Sequence, residues 1–487
     1  MDGTIIWILL GILHVALVIV GIVLISANRN PAASIAWLLA IIFIPFLGFI
    51  AYLFVGLGRL PKARREKQRE VNAIVKERTA GTDLVSNRNA WPEWLPSAIA
   101  LNQNLGALPM VGGNTATLLP DYNASFAAMA SEVDRAKETV YVEFFIVVHD
   151  ETTAPLFDAL ARACARGVQV KVLSDWLMGR MYPRREETEK ILAEMGAEWH
   201  PMLPLRPFTS GWQRPDMRNH RKLLIVDGRT GFMGSQNLID ASYDKPGNIK
   251  RGLQWRELMV RVEGPVVREM QAVFLADWYS ETDVILPFNE ADFELPELDP
   301  AGPPVFDAQV LPSGPSFAND NNLKLYAMMI QNARRRVTIT SPYFVPEEST
   351  LLAILTAADR GLDVELFVSE IGDQALVYHA QRSYYEALLR AGVKIWLFRS
   401  PTVLHAKHFT IDDDLSVIGS SNMDIRSFRL NMEVSIMIHG SAFVDQMRTV
   451  QDFYRDNSKP VLLDEWLKRP ASQIVGDNLA RLTSSLQ

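Results

Sequence analysis

The chain opens on two long apolar stretches. Ile5 to Ser26 carries no charge, and His14 is its only strongly polar side chain. A second uncharged stretch runs from about 32 to 58. As helices, both are long enough for a hydrocarbon core, which needs about 20 residues. The connector, Ala27-Asn28-Arg29-Asn30-Pro31, is short and polar. The pattern therefore predicts a two-helix transmembrane hairpin over 1–60. A cleaved signal peptide fits poorly, because Lys and Arg are missing ahead of the first stretch and no small-residue cleavage site stands out. The connector holds only Arg29, whereas Arg59, Lys62, Arg64, Arg65, Lys67 and Arg69 follow the second stretch. That asymmetry predicts that the rest of the chain lies on the cytoplasmic side. The same cluster either sets topology alone or also holds anionic headgroups.

Beyond a polar juxtamembrane linker over 61–108, ending in a short helix (96–105), the pattern changes to alternating strands and helices and then repeats. Helical segments end at Arg166-Gly167 and again at Arg360-Gly361, each followed by an apolar strand, 168–173 and 364–368. Segments 191–199 and 388–396 both read helix, Gly, strand, and the Gly fits a helix C-cap. Strand–helix alternation predicts α/β units with buried sheets. We expect an α/β fold of two similar halves with mixed sheets, 109–300 and 301–487, joined at Pro296, Pro300, Pro303 and Pro304. A motif present in both halves would then meet its copy at their interface.

Composition narrows the reading slightly. With 487 residues, 48% hydrophobic and 22% charged, the chain has material for a large core. A net charge of −7 argues against an indiscriminate nucleic-acid binder. The single cysteine, Cys164, cannot form an internal disulfide and reads as a packed, inert thiol.

The chemistry lies in a duplicated pattern. Asn219-His220-Arg221-Lys222 leads through Leu223–Val226 to Asp227, and Leu404-His405-Ala406-Lys407 leads to Asp412. Both fit H-x-K-x4-D. Gly234-Ser235-Gln236-Asn237 and Gly419-Ser420-Ser421-Asn422 follow at the same distance, and the offset between copies is constant. A glutamate trails each copy, Glu257 and Glu433. On a strand, His220 and Lys222 would face one side, as would His405 and Lys407. Two His, two Lys and two Asn supply donors and positive charge suited to a phosphoryl group whose oxygens gain charge in the transition state. Two imidazoles suit a two-step displacement, one attacking phosphorus and the other moving protons. No metal or cofactor is required, and Asp412-Asp413-Asp414 reads as a solvated turn.

These paired motifs resemble those of the phospholipase D superfamily. The two N-terminal stretches and Asn219-His220-Arg221-Lys222 are similar to the bacterial cardiolipin synthases. The resemblance implies two phospholipase D-like α/β halves sharing one active site in a multi-pass protein of the bacterial inner membrane. It implies that His220 is the nucleophile and His405 the general acid and base. Lys222, Lys407, Asp227 and Asp412 complete the expected catalytic set. Asn237, Asn422, Ser235, Ser420, Glu257 and Glu433 complete the expected substrate site, the two glutamates orienting the histidines across the interface and the aspartates being mainly structural. The implied reaction joins two phosphatidylglycerols into cardiolipin and releases glycerol. Phospholipids are the expected partners, with no nucleic acid. Lipid hydrolysis, another donor or acceptor, a nuclease and a catalytically dead scaffold remain alternatives, and the oligomeric state stays open. The Pro-rich stretch from His200 to Phe208, with Trp212, is read either as a lipid-access surface or as a packed loop.

Overall fold

The computed structural model describes residues 3–26, 31–56, 60–78, 85, 88–106, 108–205, 214–287, 304–317 and 320–482. Residues 1–61 with 205–216 form one compact unit, and the rest of the chain forms a second.

In the first unit, the apolar N-terminal stretch forms a single helix, Gly3–Ser26, of which Thr4–Ile25 is long and apolar enough to cross a membrane. Most of its large side chains are exposed, as expected for a surface that meets lipid. The second stretch departs from the expected single span. It breaks at Ile44 into two shorter helices, Pro31–Phe43 and Pro45–Ala51. Pro45 has no amide N–H and disfavours helical backbone in the residue before it, and Ile44 takes φ −135°. Ile25, Ile41 and Tyr52 form a small buried contact between the stretches, and the Tyr52 hydroxyl donates to Leu24 O at 3.3 Å.

The second unit opens with a helix, Lys62–Arg78, where a linker is expected. Its sequence is rich in Arg, Lys, Glu and Gln, all good helix formers. Its basic side chains are partly engaged within the protein. Arg64 pairs with Glu281 and Lys67 with Asp283, both at 2.6 Å. That engagement weakens the reading of the whole cluster as a headgroup site. The short helix expected over 96–105 forms as Leu95–Gly106.

The duplication appears as one mixed sheet of fifteen strands among the described residues. Val111–Leu119 and Phe306–Ser313 pair antiparallel at its middle. Outward on one side run Met259–Glu263, Thr230–Gly234, Lys222–Val226, Thr139–Phe144, Gln169–Asp175 and Glu198–Met202. Outward on the other run Glu433–His439, Leu415–Gly419, His408–Ile411, Arg336–Thr340, Asp363–Ser369, Lys394–Phe398 and Ser458–Pro460. The first six strands outward correspond on the two sides, Ser458–Pro460 being an addition at one edge, so each motif strand holds an equivalent place. Each half has its own apolar cluster, one around Phe126, Leu156 and Val172 and the other around Tyr326, Ile354 and Leu366. Cys164 packs at the edge of the first, and burial raises its thiol pKa, consistent with an inert role.

Candidate active site

The two motif histidines sit just ahead of their strands, not on them. Lys222 opens the strand Lys222–Val226, and Lys407 ends immediately before His408–Ile411. Each histidine is oriented by a glutamate from the opposite half. His220 Nδ1 meets the Glu433 carboxylate at 2.9 and 3.0 Å, and His405 Nδ1 meets Glu257 Oε1 at 2.6 Å. Backbone bonds fix this exchange. His220 N–H donates to Met432 O at 2.8 Å, and Met432 N–H donates to Arg218 O at 2.9 Å. His405 N–H donates to Arg256 O at 2.8 Å, and Thr402–Leu404 runs parallel to Gln254–Arg256. A carboxylate on Nδ1 favours the tautomer with N–H there and leaves the Nε2 lone pair for chemistry.

The Gly-Ser pairs explain how the glutamates come so close. A Cβ on Gly234 would lie 2.3 Å from Leu258 O, and one on Gly419 would lie 2.4 Å from Val434 O. Only glycine permits that approach. Ser235 Oγ accepts from Leu258 N–H at 3.0 Å, and Ser420 Oγ accepts from Val434 N–H at 3.0 Å while donating to Glu433 Oε2 at 2.5 Å. Ser235, Ser420, Glu257 and Glu433, expected in the substrate site, are thus committed to supporting the histidines. Each hydroxyl is held by the backbone N–H of the residue after the glutamate.

Lys222 and Lys407 are buried in the same place. Lys222 Nζ donates to His220 O at 2.5 Å. Lys407 Nζ donates to His405 O at 2.6 Å and lies 3.2 Å from both His405 ring nitrogens. Burial lowers Lys222 to about 7 and Lys407 to about 8, against the pull of Glu433 and Glu257. Burial and the two lysines push His220 well below the ordinary imidazole range, so it is neutral near pH 7. His405 is lowered less, because Glu257 counters its burial. Burial raises Glu433 to about 7, although Lys222 opposes it, whereas His405 and Lys407 overcome burial to hold Glu257 low. Asn237 Nδ2 donates to Tyr243 OH at 2.9 Å, and the hydroxyl donates to Glu257 at 3.1 Å. The amide oxygens of Asn237 and Asn422 are buried without a protein partner among the described residues. Buried polar atoms of that kind mark a place for a ligand or water.

Asp227 and Asp412 make their hydrogen bonds to backbone at the turns beyond the motif strands. Asp227 accepts from the N–H groups of Lys137, Glu138 and Thr139 at 2.8–2.9 Å. Asp412 does the same for Arg334, Arg335 and Arg336, at 2.7 to 3.2 Å. Both have left-handed backbone, φ 50° and 52°, which Asp tolerates. They build the turn beyond each motif strand and secure the start of the neighbouring strand.

Several supporting residues escape a motif search. Arg221 fills the variable position of the first motif and is buried. Its Nε donates to Glu433 O at 3.1 Å, and its guanidinium pairs with Asp277. Asp175 accepts from Asn219 N–H at 3.0 Å, and Glu143 accepts from Asn219 Nδ2 at 3.0 Å. In the Pro-rich stretch, His200 to Met202 end the strand Glu198–Met202, His200 packs edge-on against Trp278 and Leu203 is fully buried; Arg206–Gln213 lie outside the described residues.

Comparison with known proteins bears on the fold and the family. A family described as "Cardiolipin synthase, PLD-like domain" matches residues 129–278 and 326–454, once per half. A second, "Phospholipase_D-nuclease N-terminal", matches 15–56. Cardiolipin synthase A of Pseudomonas putida (strain W619) is 31% identical over 491 residues, covering 98% of this chain and 97% of its own. Cardiolipin synthase of Geobacillus thermodenitrificans (strain NG80-2) is 32% identical over 493 residues, covering 98% and 94%. The crystal structure of phosphatidylserine synthase from Haemophilus influenzae Rd KW20 superposes with a TM-score of 0.60 at 16% identity, covering 80% of this chain and all of that one, which supports the shared fold. With both halves matched and relatives aligned almost end to end, the chain belongs to the cardiolipin synthase family of the phospholipase D superfamily.

Proposed function

We propose that this protein makes cardiolipin by moving a phosphatidyl group from one phosphatidylglycerol to a second, releasing glycerol. The observation that carries the proposal is the reciprocal pair of histidines, each held at Nδ1 by a glutamate of the other half, between two buried lysines. The full-length likeness to cardiolipin synthases supports the choice of lipid.

In the first step, His220 Nε2 attacks phosphorus as the bond from phosphorus to the glycerol oxygen breaks, and His405 gives that oxygen a proton. In the second, the acceptor's hydroxyl passes its proton to His405. Its oxygen bonds phosphorus as the phosphorus–nitrogen bond breaks. Lys222, Lys407, Asn237 and Asn422 bind the phosphate oxygens, and Glu433 and Glu257 hold the rings in place. The neutral state of His220 suits the nucleophile, since an imidazolium has no lone pair to offer.

The division we favour is a membrane hairpin over 1–60, a juxtamembrane segment over 61–108, and halves over 109–300 and 301–487. Both apolar stretches cross the inner membrane in this reading, the second through its two short helices. The basic residues from Arg59 to Arg69 keep the catalytic part in the cytoplasm.

The test is purified full-length protein in liposomes with phosphatidylglycerol as the only lipid substrate and no added metal. Cardiolipin and free glycerol should both form, and both should vanish in His220→Ala and His405→Ala. Phosphatidic acid as the main product would make the protein a hydrolase instead.

A further inference from the structure

A carboxylate stands beside a site built for anions. Asp373 follows the strand Asp363–Ser369, and its carboxylate accepts from the Tyr343 hydroxyl at 2.8 and 3.0 Å. The Tyr343 ring lies edge-on to His405, with centroids 6.0 Å apart. No Lys, Arg or His pairs with Asp373 among the described residues, and its side chain is exposed. The turn that carries it is anchored, with Tyr378 OH donating to Glu370 O at 3.2 Å and Ser400 N–H donating to Glu370 Oε2 at 3.0 Å.

The charge of Asp373 favours the charged forms of His405 and Lys407. Ile371, two residues before Asp373, and Tyr182 of the first half pack against the same buried cluster around Ile146, Trp255 and Val403, and the Asp373 charge raises the Tyr182 hydroxyl's pKa after burial. A carboxylate here repels phosphate and weakens the site's grip on its main ligand. It is suited instead to accepting hydrogen bonds from neutral hydroxyls, because both oxygens keep lone pairs free beyond the Tyr343 contact.

We propose that Asp373, held by Tyr343, is a specificity residue that receives the hydroxyl next to the reacting oxygen of a glycerol headgroup placed at His405. This rests on the transferase reading above. In that reading, the leaving glycerol and the attacking headgroup occupy the same place by microscopic reversibility. A headgroup bearing vicinal hydroxyls can present one to His405 and its neighbour to Asp373. Water and simple alcohols offer no second hydroxyl and gain nothing from the contact.

The experiment uses the full-length protein in phosphatidylglycerol vesicles and compares wild type with Asp373→Asn. One readout is the ratio of phosphatidic acid to cardiolipin. That partition is decided after the phosphohistidine forms, so it is independent of how fast the donor is cleaved. The other readout is competition between labelled glycerol and 1-propanol as added acceptors. Losing a charged hydrogen-bond acceptor should shift the partition toward phosphatidic acid by about tenfold and erase a preference for glycerol over 1-propanol. Tyr343→Phe should move both readouts the same way by less. An unchanged partition in Asp373→Asn, or equal losses of both products, would overturn the assignment. So would a wild-type preference for ethanolamine over glycerol, which would mark Asp373 as an ammonium site. Wild-type protein that makes no cardiolipin at all would instead count against the transferase reading.

Discussion

At the residue scale, the proposed chemistry rests on two histidines whose environments differ. Glu433→Gln and Glu257→Gln keep the shape but remove the charge that fixes each ring. Each should lower kcat by about 100-fold or more with little change in KM, measured as initial rates over a range of phosphatidylglycerol content. The lysines set the pH dependence. In the free enzyme, Lys222 and Lys407 hold their protons below about 7 and about 8 and lose them as pH rises through those values. Phosphate binding favours the protonated forms, so kcat/KM should begin to fall above about pH 7, where Lys222 loses its proton. In Lys222→Arg, if active, that limb should move to higher pH, because guanidinium stays charged. The motif residues were legible because they recur at fixed spacing. Arg221, Asp175, Glu143 and Tyr243 were not, because each is a single residue whose partner lies far along the chain.

At the element scale, the turn aspartates and the helix Lys62–Arg78 carry the predictions. Asp227→Ala removes an acceptor from three backbone N–H groups and should cost about 2 kcal/mol, read from denaturant unfolding, with kcat nearly unchanged. A large loss of kcat in a folded variant would place Asp227 in the catalytic set. Glu281 accepts from Arg64 and from Leu203 N–H, with both side chains of the ion pair largely buried. Glu281→Ala should cost about 3 kcal/mol and lower Tm, since it strands a buried charge. Sequence periodicity could identify the strands and the helix Leu95–Gly106. It could not show that Lys62–Arg78 is helical, because a helix polar on most faces looks like a solvated linker until its partners are known. Nor did apolar length reveal the break at Ile44, although Pro45 was the available signal.

At the scale of the whole molecule, duplication becomes function through exchange. Neither half holds a complete histidine–glutamate pair, and the sheet is continuous through Val111–Leu119 and Phe306–Ser313. A protease site placed within 288–303 and then cleaved should therefore leave the two pieces associated and active, as judged by co-purification and cardiolipin synthesis. The sequence showed that two copies exist and that they should meet. That each glutamate serves the other copy's histidine depends on strand pairing between distant segments, which spacing alone does not encode. The most direct measurement is to incubate the full-length protein with phosphatidylglycerol labelled in its phosphatidyl group, quench, and locate the adduct by mass spectrometry. A phosphatidyl group is expected on His220, absent in His220→Ala. An adduct on His405, or cardiolipin formed in His220→Ala, would contradict it.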